Sequence, residues 1–174
     1  MSEHLSDLRT ITAEAIRKAV ADMNTAYGDD KLHGFALCTD DDVMTLFPAA
    51  CTRSWVAERS DDYEEIGSIY TEWLQDSGDA HFEQVSQMVS EMADEDDSEA
   101  GCNRRFESFV LALEDCRTEG LFEQETLLCC GSTDPSGEME MLAMRAVERL
   151  NTAENADLFA EHLDYEEYRD ESSG

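Results

Sequence analysis

The stretch Gly34-Phe35-Ala36-Leu37-Cys38-Thr39-Asp40-Asp41-Asp42-Val43-Met44-Thr45-Leu46-Phe47-Pro48 decides how this chain is read. Two short apolar runs rich in strand formers flank three consecutive aspartates. That is the pattern of a β-hairpin closed by a short acidic turn, here over about residues 34–47. Neither run alternates with charge, so both faces of the strands are expected to be covered. Pro48 cannot donate to a ladder, and the reading ends the second strand there.

Upstream, Leu5, Leu8, Thr12, Ala15, Ile16, Ala19, Val20 and Met23 recur on one face at helical spacing. They predict a long amphipathic helix over about residues 3–26, stopped at Gly28. Downstream, Thr52 is placed to cap a short helix reaching about Arg59. Ile69, Tyr70, Trp73 and Leu74 fit two helical turns over Ser68 to Gln75. Phe82, Val85, Val89 and Met92 predict a helix over Asp79 to Ala93. An acidic loop follows from Asp94 to Glu99. Phe106, Phe109, Val110, Leu113 and Cys116 mark the next helix, closed by Gly120.

Thr126-Leu127-Leu128-Cys129-Cys130 reads as a buried third strand, about residues 126–131. Two more helices follow the turn-rich segment around Asp134-Pro135, the last capped by Thr152. The expectation is one α+β domain over residues 1–164, a small sheet covered by five to seven helices. Residues 165–174 read as an acidic, frayed tail.

The charge bounds the function. The 174 residues carry 42 Asp and Glu against 12 Lys and Arg, a formal net charge of −30. Direct binding to nucleic acid or to an anionic membrane is disfavoured, because phosphates are neutralised by Lys and Arg. No apolar run suits a transmembrane helix, and Met1 to Arg9 lacks the apolar core of a signal peptide. A cytoplasmic protein is expected. Cys38, Cys51, Cys102, Cys116, Cys129 and Cys130 contain no C-x-x-C pair and read as reduced, mostly buried small hydrophobes. The four histidines lack ligand spacing, and three adjacent aspartates diverge too much for a calcium loop. No metal or cofactor is expected, and no catalytic constellation is visible.

The hairpin block through Pro48-Ala49-Ala50 resembles a bacterial family catalogued only as a domain of unknown function, whose members are similarly sized single-domain proteins. Glu119-Gly120-Leu121-Phe122 leading into the apolar strand and Asp134-Pro135, and Arg149-Leu150-Asn151 before the final helix, are similar to it as well. The resemblance implies no established activity. Small cytosolic families of this kind often neighbour toxin genes as immunity proteins, which makes an inhibitor the expectation by analogy.

Candidate partner contacts are therefore the acids Asp40, Asp41 and Asp42, the run Asp94, Glu95, Asp96, Asp97 and Glu99, and the tail acids Glu166 and Glu167. Carboxylates a few ångströms apart imitate a phosphate backbone, so the expected partner is a basic protein such as a toxin acting on nucleic acid. Trp55, Tyr63 and Trp73 are the candidate desolvated anchors. Two alternatives stay open. The acidity is a salt adaptation unrelated to function, or the protein is an enzyme of a type its motifs do not reveal.

Overall fold

The computed structural model describes residues 2–59, 67–73, 78–133 and 137–160, with side chains from residue 4 to residue 159 within those spans. Helix α1 runs Ser2–Tyr27, as the apolar stripe predicts. Strands β1, Leu32–Thr39, and β2, Phe47–Thr52, follow. Then come α2, Arg53–Arg59, α3, Glu83–Glu95, and α4, Glu99–Thr118. Strand β3, Leu127–Ser132, leads to α5, Gly137–Leu150, and α6, Ala153–Ala160. Among the described residues the sheet has the order β2-β1-β3, with β1 antiparallel to β2 and parallel to β3. This is an α+β fold with a three-stranded mixed sheet.

The sheet is buried on both faces, as the uninterrupted apolar runs require. Phe35 and Leu37 of β1, Ala50 of β2, and Leu128 and Cys130 of β3 join the main core with α1, α3 and α4. The alternate residues Ala36, Cys38, Cys51 and Cys129 face a second core containing Trp73, Met144, Val147 and Phe159. Period-two alternation thus separates two apolar layers rather than core from solvent.

The second strand departs from expectation. It begins at Phe47, not Val43, and Pro48 lies inside it, opposite Leu37. Proline is tolerated there because β2 has β1 as its one neighbour among the described strands. Residues 40–46 form a connection instead of a tight turn. Val43 takes a left-handed φ of 52°, and both Val43 and Leu46 insert into the main core. The apolarity read as a strand is the apolarity of a buried loop.

Three smaller corrections follow the same logic. Residues 79–81 form a 3₁₀ turn before α3. Asp94 and Glu95 complete α3, and Ser98 caps α4, so the acidic loop is shorter than expected. The helix expected over Ser68 to Gln75 is a 3₁₀ turn over Tyr70–Glu72, ending at Trp73, with residues 74 and 75 outside the described residues. Tyr63, Glu166, Glu167 and the expected tail also lie outside them.

Candidate functional site

Arg105 is the centre of the site. It lies on the buried stripe of α4, four residues before Phe109, and is 2% exposed. Its guanidinium donates to the carbonyls of Val43 at 3.0 Å, Asp42 at 3.0 Å and Asp96 at 2.7 Å. A buried cation needs its donors satisfied, and carbonyl oxygens supply that without an opposing carboxylate. One side chain therefore joins the two acidic runs that stand far apart in sequence.

Each acid has a definite place around this knot. Asp40 organises its own connection, accepting from the Met44 amide at 2.8 Å and the Thr45 hydroxyl at 2.7 Å. Asp41 accepts from the Ser132 hydroxyl at 2.6 Å, tying the connection to the end of β3. Asp42 is bound through its backbone, and its side chain is exposed. These three acids, expected as one turn, divide between internal staples and an outward-facing carboxylate.

Asp96 is likewise structural. It accepts from the Ser98 hydroxyl at 2.5 Å, the Ser98 amide at 3.2 Å and Arg104 at 2.5 Å. These bonds, the Ser98 hydroxyl foremost, hold its carboxyl below the usual carboxylate range. Ser98 in turn accepts from the Gly101 amide at 3.1 Å as the helix cap. A β-carbon at Gly101 would fall 2.5 Å from the Asp96 carbonyl, so glycine permits this close junction. Asp94, Glu95, Asp97 and Glu99 are exposed around it.

The cations near the knot are committed elsewhere. Arg104 pairs with Asp96, Arg9 with Asp115 at 2.6 Å, and Arg149 with Glu107 and Glu114 at 2.9 and 3.0 Å. Below the acids lies a cleft of about 260 Å³, bounded by His4 and Leu5 of α1, Met92 and Glu95 of α3, and Arg104 and Arg105 of α4.

The two described aromatic candidates do not join this face. Trp73 is 1% exposed and packs edge-on to Phe159 at 6.4 Å, so it is a core residue and not a free anchor. Trp55 is half-buried, with Arg59 4.5 Å above its ring and its amide capped by Thr52 at 3.3 Å. It follows the far end of β2, about 17 Å along the strand from the Asp40 connection at 3.4 Å per residue. Neither indole N–H finds an acceptor among the described residues.

Five of the six cysteines are buried, and Cys102 is partly exposed. Burial pushes the Cys38 and Cys51 thiols up to about 12, and Cys116 to about 11. No three His, Cys, Asp or Glu side chains among the described residues are grouped to hold a metal ion. No described helix is long and apolar enough to cross a membrane. Sequence reasoning missed Arg105, although its position on the apolar stripe of α4 was the available signal.

A family model described as "Domain of unknown function (DUF4303)" matches residues 12–152, which include all three strands and the Arg105 knot. No curated protein and no solved structure matches the chain.

Proposed function

The chain belongs to this DUF4303 family of unknown function, and from that premise we propose that it is a non-catalytic cytoplasmic binding protein, an immunity-type inhibitor whose acidic face blocks a basic partner. The observation that carries this reading is the Arg105 knot. It brings Asp42 beside the Asp94–Glu99 run and holds both backbones in place before any partner arrives. A preorganised surface loses less conformational freedom on binding than a flexible one.

The mechanism is steric and electrostatic. Asp42, Asp94, Glu95, Asp97 and Glu99 meet lysines and arginines of the partner, the active cleft of a nucleic-acid-targeting toxin being the type of surface that fits. Opposite charge steers the encounter, giving association on the order of 10⁸ M⁻¹s⁻¹ at low salt. The raised thiols favour packing over nucleophilic catalysis, since it is the thiolate that attacks.

The test is affinity capture from the source cells at about 0.1 M and about 1 M salt, where the screening length falls from about 10 Å to 3 Å. A stoichiometric basic protein held at low salt and released at high salt supports the reading. Absence of any specific partner at both concentrations refutes it.

One observation favours a second reading. Exposed acids also stand on other stretches of the chain, with Glu14 on α1, Glu138 and Glu148 on α5, and Glu154 and Asp157 on α6. A charge spread this evenly suits salt adaptation, and the composition of neighbouring proteins from the same source separates the two. Shared acidity there removes the functional meaning of the charge.

A further inference from the structure

The cleft under the acidic face has a composition of its own. Leu5, Met92 and Leu111 are half-buried apolar side chains contributed by α1, α3 and α4. Leu5 and Met92 line the cleft of about 260 Å³. Over Leu5 and Arg104 it continues into a groove of about 430 Å³ between α1 and α4, where Leu111 lies. The carboxylates lining this path are Glu95 and Asp96 at the α3 end and Glu107 on α4, of which Asp96 is paired with Arg104 and Glu107 with Arg149.

The arginines along the path do not make it an anion site. Arg104 is held by Asp96, Arg9 by both oxygens of Asp115, and Arg105 by three carbonyls. Each positive charge already has its oxygen partners, while Glu95, which lines the opening, and Asp97 and Glu99, which follow it closely in sequence, are exposed. An incoming group therefore meets an apolar floor and, at Glu95 with Asp97 and Glu99 following it, an exposed acidic edge. Purely cationic chains would leave the floor wet, and purely apolar ones would leave the rim unused. Charge complementarity selects a segment that offers both.

Resting on the acidic-face reading, we propose that the partner is recognised through an amphipathic basic segment, an apolar side chain flanked by lysine or arginine, with the apolar group seated on Leu5 and Met92 and the cations on Glu95, Asp97 and Glu99. The apolar contact supplies the desolvated anchor that a charged rim alone lacks, and that Trp73, being buried, does not provide.

The experiment uses the whole chain with its methionine methyl groups labelled for NMR. Three probes are titrated at about 0.1 M salt: an amphipathic leucine–lysine helical peptide, a scrambled peptide of the same composition, and polylysine. The amphipathic peptide is expected to move the Met92 methyl signal, assigned with Met92→Leu, while the buried Met23 and Met144 signals stay still. It is expected to bind about tenfold more tightly than the scrambled peptide. Leu5→Ser should erase that advantage while leaving polylysine binding unchanged. If all three probes bind alike with Met92 unmoved, the cleft is not the recognition site, although the acidic face keeps its role. If none binds the wild-type chain, both readings fail together.

Discussion

The indole of Trp73 lies against the backbone of Gly34, so close that a β-carbon on Gly34 would fall 2.2 Å from Cη2 and 2.6 Å from Cζ2. Gly34 is in β1, and Trp73 ends the 3₁₀ turn that covers the sheet's second face. The contact explains why β1 carries a glycine there. Gly34→Ala is expected to destabilise by about 1–3 kcal/mol, as overpacking does in closed cores. Denaturant unfolding followed by tryptophan fluorescence measures it, and wild-type stability in the variant contradicts the contact.

Arg105 predicts a different kind of loss. Arg105→Met keeps much of the volume but strands the Val43 and Asp96 carbonyls and leaves that of Asp42 only the weak Cys102 thiol donor, at a cost in free energy for each bond lost. A loss of about 3 kcal/mol is expected, with faster hydrogen exchange at the Val43 and Met44 amides, whose bonds to Asp40 close the connection. Arg105→Lys should fall between, because an ammonium cannot span the same three oxygens. Unchanged exchange in residues 40–46 would separate Arg105 from the ordering of that loop.

His33 supplies a pH dependence. Burial lowers the pKa of its ring, against a smaller opposing effect of the 3.1 Å bond between Nε2 and the Gly67 carbonyl. The unfolded chain thus binds a proton more readily than the folded one. Stability falls as pH drops below the ordinary value near 6.5 and levels off below the folded value. His33→Gln can still donate to Gly67, and its stability should decline less than wild type between about pH 7.5 and 5.5. Parallel profiles would show that His33 does not carry the effect.

Salt should stabilise this protein. At a net charge of −30 the folded chain repels itself, and screening relieves that repulsion. Arg9–Asp115, Arg17–Glu119 and Arg149–Glu114 oppose the trend, yet their partners are substantially exposed and such pairs contribute little. The melting temperature is expected to rise from about 0.05 M to about 1 M sodium chloride. A fall would mean that the ion pairs outweigh the general repulsion.

The helices were legible where a single apolar stripe faces one core, as in α1 from Leu8 to Met23. The doubly buried β1 and β3 were legible as continuous apolar runs. The segment from Val43 to Leu46 was not, because a buried loop and a buried strand have the same apolarity, and only the left-handed Val43 distinguishes them. Of the site, the acids were visible but their convergence was not. That convergence depends on Arg105 reaching across more than sixty residues of sequence to Asp42, and pattern along a chain does not report contacts of that range. The burial of Trp73, expected as a partner anchor, was not legible because its cover, the glycine of β1 and Phe159 of α6, comes from distant elements.

The claim that one acidic face, and not total charge, recognises the partner is tested most directly by association kinetics with the captured protein across ionic strength. Three chains are compared: wild type, D42N/E95Q/D97N/E99Q at the Arg105 knot, and E138Q/E148Q/E154Q/D157N on α5 and α6. The two variants remove the same charge from different places. The account predicts that the first loses both its rate advantage at low salt and most of its affinity, while the second loses only part of the rate. Equal losses in the two variants would contradict it.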